Sequence, residues 1–174
     1  MGEDILKREN PWPQDNVQEC VFILDAINSV EQQLLTEWVN LHRPDTQPPP
    51  RIVHLDMSDD KRAIDASSLE AALNLAEDVS LVPLRVAWRP SAEALESGPR
   101  VRDLLMGDPR RPKPGKARRL IDKEPERVHL LFGKCATLGD LRARFLEKNV
   151  QPEKEIDSAL AAFIARQAAL ALDI

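Results

Sequence analysis

The residues that could carry chemistry are few, and the first to test are His54 and Asp59. They stand in the pattern H-x-x-x-x-D, in which a histidine takes the proton from an alcohol nucleophile while an aspartate orients its ring. Two residues make a weak pattern. His54 falls inside an apolar run and Asp59 inside an acidic loop, so a strand residue and a solvated charge are the preferred reading. A second candidate pair, Asp25 and Asn28, follows the first apolar run, at the strand end where open α/β sheets bind small molecules.

Other chemistries are excluded more firmly. The turn after that run reads Asp25-Ala-Ile-Asn-Ser29 and has no glycines to let backbone N–H groups approach a phosphate, so a dinucleotide fold or P-loop is not expected. His42, His54 and His129 have no ligand spacing and no cysteine near them in sequence, and neither a metal nor a cofactor is expected. No serine lies in a nucleophile-elbow context. Cys20 and Cys135 are too few and too far apart in sequence for a disulfide framework; they read as packing residues of a protein in a reducing compartment.

The strongest anomaly is electrostatic. Between positions 100 and 119 stand eight basic residues (Arg100, Arg102, Arg110, Arg111, Lys113, Lys116, Arg118 and Arg119) against Asp103 and Asp108, in a chain whose net charge is −5. The stretch is dense in proline and reads as a loop. It could be a solvated surface, a contact for an anionic membrane, where each basic residue contributes about 1 kcal/mol, or a nucleic-acid contact. The last is disfavoured, because no aromatic residue interleaves the charges to stack on bases and the whole chain is acidic.

The elements around these residues follow from periodicity. With 174 residues, 43% hydrophobic and 30% charged, the chain is expected to form one domain with a single core. Residues 1–19 are polar without a sustained period and read as an arm whose Trp12 tucks into a groove on the body; residues 20–174 form the domain. The continuous apolar run at 21–24 is the pattern of a strand covered on both faces. Ser29 with Gln32 suggests a capping box for a helix carrying Val30, Leu34, Trp38 and Leu41 and reaching Arg43. A second strand spans 51–55. Ser67 with Glu70 repeats the capping pattern before a helix with Leu69, Ala72, Leu73 and Ala76 on one face. The third strand, 81–88, contains Pro83, which places that end at an edge or at the strand's start. After the basic stretch come a fourth strand at 128–132, a helix capped by Thr137 with Leu138, Leu141, Phe145 and Leu146, and a final helix opened by Pro152 with the stripe Ile156, Leu160, Phe163, Gln167, Leu170 and Ile174. The expected fold is α/β: a small, mostly parallel four-stranded sheet flanked by helices, with two closing C-terminal helices.

No apolar run is long enough to cross a bilayer, and the first residues show no signal-peptide pattern. An apolar stripe still running at Ile174 suggests that the natural polypeptide continues. Four blocks, Val82-Pro-Leu-Arg-Val-Ala-Trp-Arg-Pro90, Arg100-Val-Arg-Asp-Leu-Leu-Met-Gly-Asp-Pro-Arg-Arg-Pro112, Ala117-Arg-Arg-Leu-Ile-Asp-Lys-Glu-Pro-Glu-Arg-Val128 and Gly133-Lys-Cys-Ala-Thr-Leu-Gly-Asp-Leu-Arg142, together with Phe163-Ile-Ala-Arg-Gln-Ala-Ala-Leu170, resemble the amino-terminal region of bacterial membrane-associated glycerol-3-phosphate acyltransferases, most closely the actinobacterial type. The resemblance runs from about position 21 to the end of the chain.

In that family this region precedes the catalytic domain. The resemblance therefore implies a non-catalytic N-terminal domain of an enzyme that transfers an acyl group from acyl-carrier protein or coenzyme A to glycerol 3-phosphate. The family's H-x-x-x-x-D block lies downstream of this region, and its arginine-bearing and F-P-E-G-type blocks are absent, so no catalytic residue carries over and His54 and Asp59 are not that motif. The implied partners are the enzyme's own downstream acyltransferase domain and an anionic membrane at the cytoplasmic face, with acyl-carrier protein as the rival occupant of the eight basic positions and no nucleic acid.

Overall fold

The computed structural model describes residues 3–13, 19–57, 64–65, 67–90, 111–148 and 156–172. Its centre is strand β1 (Cys20–Asp25), every residue of which is buried, as a continuous apolar run requires when both faces of a sheet are covered. Strand β2 (Arg51–Met57) and strand β4 (Ser80–Trp88) flank it and run parallel to it. The short strand β3 (Ile64–Asp65) lies antiparallel on the outer side of β2. Strand β5 (Val128–Phe132) pairs antiparallel with β4, and β6 (Ala136–Thr137) pairs with the start of that same strand. The order is β3-β2-β1-β4-β5, with β6 beside β4. The fold is thus α/β, with a mostly parallel sheet flanked by helices.

Chain reversal decides which face each helix covers. The crossover from β1 to β2 goes one way along the sheet and that from β2 to β4 goes the other, and two crossovers of one hand must then lie on opposite faces. Helix α2 (Ser29–Leu41) accordingly packs Val30, Leu34, Leu35 and Trp38 against Phe22, Leu24, Val82 and Leu84 on the first face. Helix α3 (Ser67–Glu70) and the 3₁₀ turn after it (Ala71–Asn74) pack Leu69 and Leu73 against Val21, Ile23 and Leu81 on the second. The first face is completed by helix α4 (Pro114–Lys123) and by the arm; the second by the closing helices α5 (Leu138–Lys148) and α6 (Ile156–Ala171).

Several expectations are corrected. The cap of α2 is Asn28, one residue earlier than Ser29, and its side-chain oxygen accepts from the N–H groups of Val30 and Glu31; the helix ends at Leu41, before Arg43. The second helix is a single α turn followed by a 3₁₀ turn, and Ala76 is exposed beyond it. Pro83 lies inside a central strand. It is tolerated because its carbonyl accepts from Gly133 N–H at 2.9 Å, so the missing N–H faces the break between β5 and β6, where the ladder is interrupted anyway. Thr137 does cap α5, accepting from Asp140 N–H at 3.1 Å, but Leu146 is 51% exposed. The buried stripe of α6 is Leu160, Ala161, Ile164, Ala165, Ala168 and Leu172, while Leu170 is 63% exposed. Small alanines, not the largest side chains, face the sheet there because they let the helix approach closely. Pro152 and Ile174 lie outside the described residues.

The arm is fastened to the first face. A one-turn helix, α1 (Glu3–Leu6), buries Ile5 and Leu6. Trp12 is 5% exposed, meets Phe22 edge-on at 4.9 Å, and donates its indole N–H to Val39 O at 2.8 Å. Trp38 returns the exchange by donating to Glu9 O at 2.8 Å, and His42 Nε2 lies 2.7 Å from Leu6 O. Val39 O is one of the carbonyls that the end of a helix leaves without an intrahelical donor, so Trp12 satisfies a group that the helix alone cannot.

Candidate functional site

The first candidate location is the carboxyl end of the sheet. Connections leave β1 in one direction and reach β4 from the other, so the crevice between their ends is the switch point at which open α/β sheets bind ligands. Register puts Asp25 opposite Arg85 there. Asp25 is 5% exposed and accepts on Oδ2 from Arg85 Nε at 2.6 Å and Nη2 at 2.5 Å.

Beside the pair lies Glu31, 2% exposed in the first turn of α2. Its carboxyl accepts from Ile27 N–H at 3.0 Å, from Asn28 Nδ2 at 3.1 Å and from the Trp88 indole N–H at 2.8 Å. Burial pushes its pKa above the ordinary carboxylate value; Asp25 acts in the same direction, and the three donated bonds oppose both. Asn28 also donates to Pro112 O at 3.3 Å, which ties the entry of α4 to the end of β1.

These groups answer one another. The N-terminus of α2, where an anion would otherwise be drawn by free N–H groups, already holds Asn28 Oδ1 and the Glu31 carboxyl. Asp25 and Asn28, the pair that the alternative small-molecule reading would use, serve here as the partner of Arg85 and as a helix cap. His54 is exposed on β2, and Asp59 lies outside the described residues. A shallow apolar pocket on the second face, between Ile23, Pro83, Leu141 and Ile164, has Lys134 and Gln167 as its polar lining groups and brings no acid and base together. Among the described residues no cluster of histidine, cysteine and carboxylate side chains could hold a metal ion.

The basic stretch is the second location. Arg100, Arg102 and Arg110 lie outside the described residues. Arg111 and Lys113 are exposed ahead of α4, and the expected loop is from Pro114 onward a helix. The reason is local: proline at the first helical position has a suitable φ and no N–H to lose, and Ala117, Leu120 and Ile121 recur at the spacing of one buried face. That face packs into the core beside α2. It turns Arg118, Arg119 and Lys123 outward with Asp122, and leaves Lys116 half-buried. The helix therefore presents a basic surface held in place by an apolar one. Helix α6, on the second face of the sheet, does not lie beside it.

Cys20 and Cys135 are free thiols. Cys20 is on β1, and Cys135 precedes β6 and packs against the same first-face core. Burial pushes the Cys20 thiol up to about 11. No protein-family model matches the chain, and no solved structure matches it. Among the described residues no helix is long and apolar enough to cross a membrane.

Proposed function

We propose that the chain is a non-catalytic N-terminal domain of a glycerol-3-phosphate acyltransferase of phospholipid synthesis, supporting the catalytic domain and contacting anionic lipid at the inner face of the cell membrane. The family part of this reading rests on the sequence blocks given above. The membrane part rests on α4: an apolar face of Ala117, Leu120 and Ile121 fixes the helix to the core, and Arg111, Lys113, Arg118, Arg119 and Lys123 are exposed on and just before it. Exposed cations held on a rigid element meet an anionic surface without first having to be ordered, and each adds about 1 kcal/mol when close to the lipid.

Co-sedimentation with vesicles of phosphatidylcholine and phosphatidylglycerol tests the contact. Binding should weaken with salt, because exposed charges are screened beyond roughly 8–10 Å near physiological ionic strength, and should fall sharply in Arg118→Glu with Arg119→Glu. Binding that ignores both changes would remove the membrane contact from the reading. Tight binding to acyl-carrier protein without lipid, lost in the same double variant, would transfer the surface to that acidic partner. For the catalytic half, the purified chain should show no acyl transfer to glycerol 3-phosphate; turnover abolished by His54→Ala would overturn the non-catalytic assignment.

A further inference from the structure

A different cluster, absent from the basic stretch, gathers where β4 hands over to β5. Register pairs Ala87 with His129, and one more backbone bond follows, Arg89 N–H donating to Arg127 O at 2.8 Å, while the Arg127 side chain donates through Nε to Arg89 O at 2.9 Å. Facing residues of an antiparallel pair share a sheet face, and so do residues two apart on one strand. Ala87 and His129 therefore project from one face, opposite to the one through which Trp88, Val128 and Leu130 enter the core, and Arg89 follows two residues after Ala87, while Arg127, in the 3₁₀ turn before β5, bends its side chain back to Arg89 O. Ala87 offers only a methyl group opposite the imidazole, which leaves room beside it. Arg8 arrives from the arm at the outer edge of β5, donating to Val128 O at 3.3 Å and Pro125 O at 3.5 Å.

The charges of this cluster are unevenly matched. Arg127 pairs with Glu124. Among the described residues neither Arg8 nor Arg89 has a carboxylate partner. Burial, then Arg89 and more weakly Arg8, hold the His129 imidazole below its ordinary pKa; its contact with Glu126 O at 3.1 Å opposes them, and Glu9 opposes them least of all. Arg8 and Arg89 beside His129 are offset only weakly by Glu9, and an anion placed among them relieves the remaining repulsion.

We infer that Arg8, Arg89 and His129 form a binding site for a phosphate monoester, carried either by free phosphate or by a lipid headgroup. The Arg89 guanidinium just beyond β4, the Arg8 N–H groups not given to Val128 O and Pro125 O, and His129 Nδ1 offer donors from three directions, which suits a tetrahedral dianion better than a planar carboxylate with its two oxygens in one plane. The guanidinium groups supply paired N–H donors of the kind phosphate accepts. The site is independent of α4 and of any acyltransferase reading, since it shares no residue with the basic stretch.

The test is an NMR titration of the His129 imidazole in the full chain, in inorganic phosphate and in sodium chloride of equal ionic strength. Phosphate should raise the imidazole pKa where chloride does not. Arg89→Gln should weaken phosphate binding about tenfold, the loss of one charge-assisted hydrogen bond. This variant should fold, because only the backbone groups of Arg89 are engaged among the described residues. Arg118→Glu should leave phosphate affinity unchanged, which separates this site from α4. Vesicles of phosphatidylcholine with and without phosphatidic acid then assign the source: Arg89-dependent binding that free phosphate competes away marks a headgroup site, and vesicle binding indifferent to Arg89 marks a site for soluble phosphate. An equal response of His129 to phosphate and chloride, or unchanged phosphate affinity in Arg89→Gln, would overturn the assignment.

Discussion

Replacing Glu31 by alanine is expected to destabilise the domain by about 3 kcal/mol, chiefly by leaving buried donors without an acceptor. The three donors differ. The Trp88 indole N–H is buried with its bond to Glu31, so its loss should cost about 2 kcal/mol, within the range for an unsatisfied buried group. The Ile27 N–H and the Asn28 amide are only part-buried; water can reach them, and together they add roughly 1 kcal/mol. For a chain of this size the sum corresponds to a fall in Tm of about 6–12 °C. Urea denaturation followed by tryptophan emission measures it, and Trp88→Phe supplies the control. Phenylalanine has no N–H to strand, so Glu31→Ala should cost about 2 kcal/mol less in that background. An equal cost in both backgrounds, or a total below about 1 kcal/mol, would refute the account. The sign of the pH effect follows from the same burial. The folded-state pKa of Glu31 is raised, so the folded chain holds its proton where the unfolded chain has released it, and stability falls as pH rises from the ordinary value of 4.5 through the folded one. Glu31→Gln should abolish that part of the decline, so that the variant gains on the wild type as pH increases across the window.

Glycines give a paired prediction. A Cβ at Gly133 would lie 2.8 Å from Pro83 Cγ and 2.9 Å from both Cβ and O of Ala171, whereas one at Gly115 meets nothing within 4 Å. Gly133→Ala should therefore cost about 1–3 kcal/mol by overpacking, and Gly115→Ala should stabilise by up to about 1 kcal/mol through helix propensity; similar effects at the two sites in urea denaturation would contradict the packing described. Trp12→Ala should cost about 3–5 kcal/mol as a buried aromatic lost to a cavity, and Trp12→Phe roughly 1 kcal/mol for the bond to Val39 O; a change below about 1 kcal/mol in Trp12→Ala would mean that the arm is not fastened in solution. Iodoacetamide at neutral pH should label Cys135 and spare Cys20, whose thiol is buried and pushed up to about 11. Mass spectrometry showing early alkylation of Cys20 would count against the burial of β1.

What could be read in the residues divides along a physical line. Strand β1 is a continuous apolar run, and β2 and β4 are apolar runs broken by His54 and by Arg85, all lying between polar turns; the signal belongs to the segment itself, and all three form. The cap of α2 was also written locally, as Asn28 with Glu31 three residues on; Ser29 with Gln32 offered the same pattern one step later. What chose between them is tertiary, since the Trp88 indole and Pro112 O reach only the earlier pair. Helix α4 was hidden by its own charge: Pro114 and the spacing of Ala117, Leu120 and Ile121 were legible, but a run of cations among prolines resembles a loop. For α6 the large side chains drew a stripe through Phe163 and Leu170, while close packing on β4 selected the alanines. Arg8, Arg89 and His129 could not be joined from sequence at all. Their proximity depends on the β4–β5 register and on where the arm lies, and neither is encoded near any of the three.

The links around the first face form one connected series. Helix α4 is seated on the core by Ala117, Leu120 and Ile121, and its entry is held by Asn28 Nδ2 to Pro112 O. Asn28 is held in turn by the Glu31 carboxyl, and Glu31 by Trp88 at the end of β4. On the other side of that strand end the backbone of Arg89 and Arg127 starts the β5 ladder, and Arg8 closes its outer edge from the arm. The polar groups at the carboxyl end of the sheet thus connect the two basic locations through a rigid strand. A partner that bound α4 would load the Asn28–Glu31–Trp88 chain, while one that bound at His129 would load the arm through Arg8. The two sites share a scaffold but stress different bonds, so occupancy of each can be followed separately: hydrogen exchange would report the first at the N-terminus of α2 and the second at Ile5, Leu6 and Trp12.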